Sequence, residues 1–347
     1  METSQGEARA QPFQFTGKGT EYFRIWIVNL ALTILTLGIY SAWAKVRRLQ
    51  YFYRNTSLAG ASFDYHGRPL AILKGRVIAV GLLLLYNVAG TFNVALGFAM
   101  LAVLLANVPW LVQRSIAFKL ANTSYRGLRF RFAGAMGGAY KAFLLWPFLG
   151  YVTLLLLMPK AHLEIKRYQH NNSRYGASSF RFDAGAGPFY LLYLKAFGML
   201  LLLFGAFGLL LWGLATGPAE GVKDTQIAWF AIGMLAFYLL LFLVIGPWFA
   251  ARMQNLVWNS TSLEAHAFSS DVRARDLFAI YFTNFIAIVL TLGLYKPFAD
   301  IRLARYRLQN MALLAQGDLD AFVAAQQEAV SATGEEAADV FDVDISF

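Results

Sequence analysis

The 347-residue chain has no cysteine, which excludes disulfides, thiolate metal sites and cysteine nucleophiles and says nothing about compartment. Charge is scarce too: 14% of residues are Asp, Glu, Lys or Arg, against roughly a quarter in an ordinary soluble chain. The four histidines, His66, His162, His170 and His266, are scattered without a His or carboxylate partner at metal-ligand spacing. No metal and no cofactor is therefore expected. There is no Gly-x-Ser-x-Gly elbow and no His-Glu-x-x-His, and Gly17-Lys18-Gly19-Thr20 lacks the spacing of a phosphate loop. No catalytic residue is expected, and the chain is not expected to be an enzyme. The polar first 21 residues lack the layout of a cleaved signal peptide, so the first span is expected to target the chain.

What is present is apolar: 58% of residues are hydrophobic. A hydrocarbon core of ~30 Å takes about 20 apolar residues of helix. Stretches of that kind lie at 25–44, 142–158, 189–214, 227–251 and 277–295, and 77–112 has room for two helices turning near 87–93. The expected fold is therefore an all-α polytopic membrane protein with about seven transmembrane helices.

Sequence offsets suggest how these spans are organised. Phe13-Gln14-Phe15 recurs as Phe130-Arg131-Phe132, an offset of 117, and Pro109-Trp110 recurs as Pro247-Trp248, an offset of 138. Their sum, 255, carries Leu35-Thr36-Leu37-Gly38-Ile39-Tyr40 onto Leu290-Thr291-Leu292-Gly293-Leu294-Tyr295. The expected units are 13–129 and 130–267, three spans each, then a partial third unit, 268–310, with one span. A flexible segment, 1–12, precedes them, and an acidic cytoplasmic tail, 311–347, follows. Units with an odd number of spans enter the membrane from opposite sides, which predicts inverted repeats. Between spans, basic helical runs end at Asn-Thr-Ser and pass into alternating aromatics such as Phe63-Asp64-Tyr65. Short interfacial helices and small β-strands are expected there.

Seven alternating spans give one face 18 Lys and Arg with net charge +14, and the other face 11 with net charge +3. Excess Lys and Arg mark the cytoplasm, which predicts the N-terminus outside and the C-terminus inside. In an alternative, the first, fourth and seventh segments are re-entrant and every basic segment is cytoplasmic.

The residues at 13–17, the run LTLGIYSAWAKVRR at 35–48, Asn55-Thr56-Ser57, and the C-terminal runs at 319–327 and 331–347 resemble the YjgN-like family. The resemblance covers essentially the whole chain. It implies a multi-pass protein of the bacterial inner (plasma) membrane of unknown function, with no established reaction or catalytic residues to carry over.

Candidate site residues are few. Lys195 is the one ionisable residue inside a span, and Asn29 and Asn284 lie mid-span at equivalent places. The basic joints offer Lys45, Arg47, Arg48 and Arg54, then Arg114, Lys119 and Arg126, as contacts for anionic lipid headgroups. Membrane lipids are the expected partners, and nucleic acid is not, since no soluble basic domain exists. The expected function is lipid interaction or organisation of the envelope; the alternative is a transporter or channel at the interface of inverted repeats.

Overall fold

A computed structural model describes residues 9–216 and 223–332. Ten short strands alternate with helical hairpins. β1 (Arg9–Phe15) leads through α1 (Gly19–Leu35) and α2 (Ser41–Arg54) to β2 (Thr56–Leu58). β3 (Ala61–Tyr65) leads through α3 (Pro69–Phe92) and α4 (Val94–Ala121) to β4 (Thr123–Tyr125). β5 (Leu128–Phe132) is followed by α5 (Met136–Tyr140), a π-turn over Lys141–Leu145, α6 (Trp146–Val152), α7 (Met158–Asn171) and β6 (Ser173–Tyr175). β7 (Ser178–Phe182) leads to α8 (Ala186–Thr216), α9 (Lys223–Leu240), a π-turn over Leu241–Ile245, α10 (Gly246–Asn259) and β8 (Thr261–Leu263). β9 (His266–Ser270), α11 (Ala274–Leu290), α12 (Lys296–Gln309) and β10 (Met311–Ala315) follow, and α13 (Leu319–Ala332) is the last described element.

Every strand pairs antiparallel with its neighbours, and β1 pairs with β10, so the ten strands close into a barrel. The connections alternate. Tight turns such as Ala59-Gly60 and Arg126-Gly127, with positive φ at both residues, form one rim, and the five helical hairpins all leave from the other. The hairpins also close on each other: α2 packs on α3, α4 on α5, α7 on α8, α10 on α11, and α12 on α1.

This arrangement overturns the all-α, seven-span expectation. Among the described residues only four helical stretches, Pro69–Phe92, Val94–Ala121, Ala186–Gly213 and Ala228–Asn259, are long and apolar enough to cross a membrane. The segments at 25–44, 142–158 and 277–295 are instead the bends of short hairpins, whose individual helices are too short to cross. The inverted three-span arrangement fails with them, because every hairpin returns to the rim it left. The opposite placement of the termini fails as well: Arg9 is paired with Ala315, so both ends of the described chain sit on the barrel.

The short hairpins end in tips suited to apolar surroundings. Leu37, Leu154 and Leu292, at the bends, are about 95%, 87% and 94% exposed. Each tip closes its own backbone: Gly38, Leu155 and Gly293 donate to Thr33, Gly150 and Ile288 carbonyls at 2.7, 2.8 and 2.8 Å. Gly38 and Gly293 have φ +93°, a left-handed conformation glycine adopts without strain. Thr36, Thr153 and Thr291 each bond a carbonyl four residues back and accept a backbone N–H four residues on. Lipid-facing backbone must be satisfied internally in this way.

The joints are as regular as the tips. Asn55, Asn122, Asn172 and Asn310 each cap the preceding helix by donating to the carbonyl four residues back, at 2.7–2.8 Å. Their own carbonyls accept from Thr16, His66, Ala133 and Asp271, and Ser260 accepts from Asp183 in the fourth hairpin. Thirteen residues before four of these five joints stands a buried proline: Pro109, Pro159, Pro247 and Pro297. Neighbouring hairpins are latched by side chains of the second helices. Arg167, Asn255 and Arg305 donate to the Ala184, Val272 and Gly17 carbonyls, the last closing the circle.

Candidate functional site: an aromatic barrel lumen

Strand alternation decides what the barrel holds. Phe13, Phe63, Phe130, Phe180 and Phe268 come one from each odd-numbered strand, and register sets them opposite Leu58, Tyr125, Tyr175, Leu263 and Leu313. Successive phenylalanines stack with ring centroids 6.2, 6.5, 6.3 and 6.0 Å apart. This belt of ten side chains lines a cavity of about 410 Å³. That volume falls in the range of roughly 300–1,000 Å³ typical of small-molecule sites.

The cavity has two ends. On the hairpin side its wall is made by Phe52, Tyr53, Trp258 and Leu308, from the last turns of α2, α10 and α12. On the turn side it is stopped by Leu319, Phe322 and Val323 of α13. Several of the polar groups that reach it are engaged within the protein. Tyr125 donates to the Leu58 carbonyl at 2.7 Å and Tyr175 to the Tyr125 carbonyl at 3.0 Å. His266 Nδ1 accepts from the Gln316 N–H at 3.2 Å, and burial holds this imidazole below its ordinary pKa, in the neutral form that bond requires. The lumen is thus a largely apolar aromatic cup that complements an apolar ligand.

α13 is fastened as well as packed. Asp320 pairs with Arg126, Gln326 Oε1 accepts from the Ala177 and Ser178 N–H groups at 3.0 and 3.1 Å, and Gln327 donates to the Arg126 carbonyl at 3.3 Å. Of the segment read as an acidic tail, Met311–Ala315 is a barrel strand and Leu319–Ala332 is this stopper. Residues 333–347, with most of the tail's carboxylates, lie outside the described residues, as do 1–8 of the N-terminal segment.

The candidate residues named from the sequence lie around this cup. Arg126 is not free for a lipid: besides Asp320 it bonds the Ala59 carbonyl at 2.8 Å and lies over the Tyr125 ring. Arg54 is held by Asp64 at 2.8 Å. Arg47 and Arg48 are exposed and lie over the Tyr40 and Phe52 rings. With Arg24 and Arg54, Arg47 also lines a shallow groove of about 490 Å³ between α1 and α2. Arg114 and Lys119 are exposed on α4. Arg76 and Lys119 both lie near Lys45 and, after burial, lower its pKa, which joins the first two hairpins in one cationic patch. Arg76 was not singled out from the sequence; its bond to Ser41 draws it in.

The three intramembrane candidates do not form one site. Lys195 is exposed on α8, where its stem can reach the interface. Asn284 is buried and tied within its own hairpin, to the Ala299 carbonyl at 3.4 Å and Arg302 at 3.5 Å. Asn29 is buried with its Oδ1 unpartnered. The lumen belt itself escaped the sequence reading, although the alternating aromatics at 63–65, 130–132 and 180–182 were its signal.

Four apolar spanning helices beside a small closed barrel define a membrane protein. No solved structure matches the chain. The family described as "Bacterial protein of unknown function (DUF898)" matches residues 10–340, and the chain belongs to it. Among its relatives, "Inner membrane protein YjgN" of Salmonella typhimurium is 31% identical over 148 residues, 42% of this chain and 37% of that protein. The protein of the same name in Escherichia coli O157:H7 is 31% identical over 135 residues, 37% of this chain and 32% of the relative. The matched stretch thus spans about a third of each relative's length.

Proposed function

We propose that this is a bacterial inner-membrane protein that takes the apolar chain of a membrane lipid into its barrel, on the cytoplasmic face. The observation that carries the reading is the aromatic-lined lumen of about 410 Å³, set directly beneath the membrane hairpins. Burying apolar surface there is favourable at roughly 25 cal/mol per Å². The name of the relatives supports the compartment.

Charge supports the sidedness. The described far ends of the crossing hairpins, near Asn93, at the end of α8 and at the start of α9, carry a single basic residue, Lys223, whereas the barrel and the adjoining helix turns carry nearly all the others. By the positive-inside rule the barrel lies in the cytoplasm. The three short hairpins then dip into the inner leaflet and return, which supplies apolar surroundings for Leu37, Leu154 and Leu292. The alternative of a transporter or channel between inverted units loses its interface, since all five hairpins leave one rim.

A fatty acid with a photoreactive diazirine in its chain tests the reading on membranes containing the whole protein. The expected result is crosslinking to peptides of β7 to β9, around Phe180 and Phe268. Crosslinks confined to the outer surfaces of α3, α4, α8 and α9 would count against it.

A further inference from the structure

Lys166 lies on α7 one turn after His162 and one turn before His170, and residues four apart share a helix face. His170 stands against the cavity wall, its ring centroid 5.7 Å from that of Trp258. Lys166 is thus about 6 Å of helix rise above the hairpin-side rim of the lumen. The same place in the fourth hairpin, six residues before the joint, is Gln254, which reaches the Arg307 carbonyl of α12 at 3.3 Å. This position therefore faces the neighbouring second helices. In the other hairpins it holds Leu49, Ile116 and Ala304, so of the five hairpins only the third has a cation at this position.

Among the described residues the ammonium has no counter-charge. Glu164, the carboxylate on α7, is taken by Lys160 and Arg167, both at 2.7 Å. Among the described residues no Asp or Glu lies within ion-pairing distance of Lys166. The flanking histidines face hydroxyls instead, His162 on Tyr193 at 3.0 Å and His170 on Thr261 at 3.2 Å. Lys166 is half-buried, and that burial lowers its pKa with no acid to offset it. A cation withdrawn from water without a partner is costly, and positioned beside an apolar cup it is complementary to an amphiphile with one negative charge.

We infer that Lys166 binds the anionic headgroup of the lipid whose chain fills the barrel. The inference rests on the proposed function. The chemistry required is a single negative charge joined to an acyl chain, supplied by a fatty-acid carboxylate or a phospholipid phosphate.

The test uses the full-length protein in nanodiscs containing oleic acid, phosphatidylglycerol and diacylglycerol, with retained lipid counted by mass spectrometry after purification. Wild type is expected to retain an anionic lipid over diacylglycerol, and whichever of the two anions is enriched identifies the source. Lys166→Met is expected to shift the anionic-to-neutral ratio about fivefold toward diacylglycerol, the factor that ~1 kcal/mol per charge gives. Lys166→Arg is expected to restore it. If methionine impairs folding, Lys166→Gln, which copies Gln254, is read in the same way. An unchanged ratio in a folded Lys166→Met or Lys166→Gln protein overturns the inference. Wild type that retains no lipid of any charge overturns the barrel reading itself.

Discussion

The second and third hairpins are built alike where they meet the barrel. Asn122 and Asn172 cap α4 and α7 with the same bond four residues back, and Pro109 and Pro159 are buried at the same distance before them. At their far ends they differ. The second hairpin runs through 24- and 28-residue helices to a polar turn at Asn93, whose side chain accepts from the Ala95 N–H at 2.7 Å. The third turns after far fewer residues, at the bare leucines 154–156, with Thr153 satisfying the bend. A polar turn suits water on the far side of the membrane, and a leucine turn whose backbone N–H groups are internally paired suits hydrocarbon. One joint chemistry with two tip chemistries therefore separates what the barrel needs from what the membrane needs.

The tips should break this comparison most strongly. Leu292→Asp sets a carboxylate where lipid is expected, a cost of about 3 kcal/mol by insertion scales, whereas Asn93→Asp should stay within about 0.5 kcal/mol. Yields of folded protein and thermal stability in membranes measure both, and equal effects would erase the distinction.

A pH titration probes a joint rather than a tip. Burial, and then the charge of Lys166, hold His170 at about 4 in the folded protein, against ~6.5 when unfolded. The unfolded chain therefore binds the proton first. The neutral-form stability is complete above about pH 6.5 and is lost as pH falls from there toward 4. Between pH 7.5 and pH 5 wild type should lose about 2 kcal/mol more than His170→Leu, read as a difference in melting temperature.

The smallest effect tests the shared joint. Asn122→Ala and Asn172→Ala each remove one capping bond and should each cost about 1 kcal/mol. A clear inequality would show that long and short hairpins load their joints differently.

The sequence made part of this legible. The uncharged run at 77–112 was long enough to hold two helices and a turn, and α3 and α4 divide it at Asn93. The alternating aromatics at 63–65 and 130–132 are strands. The run at 35–40 was harder: it reads as the middle of a span because a leucine turn has the composition of a leucine helix. Only the Thr36-Leu37-Gly38 spacing marks the bend, through a hydroxyl bond and a positive φ that hydropathy does not register. Barrel closure was out of reach for another reason. Pairing Arg9 with Ala315 joins the two ends of the described chain, and three-residue strands such as Ser173–Tyr175 carry too little pattern to announce a partner. Without closure, Phe13 and Phe268 could not be placed in one belt, and the lumen stayed hidden. Lys166 was passed over for the same reason, since nothing in its own helix places it beside a cavity.

The absence of cysteine makes the chain a ready background for accessibility labelling with a membrane-impermeant maleimide. Three single substitutions are enough: Ala265→Cys at a barrel turn, Asn93→Cys at a crossing tip and Leu292→Cys at a short tip. Ala265→Cys should label only from the cytoplasmic face, Asn93→Cys only from the opposite face, and Leu292→Cys from neither. Labelling of Leu292→Cys from the same side as Asn93→Cys would contradict a barrel whose short hairpins dip into the membrane and return.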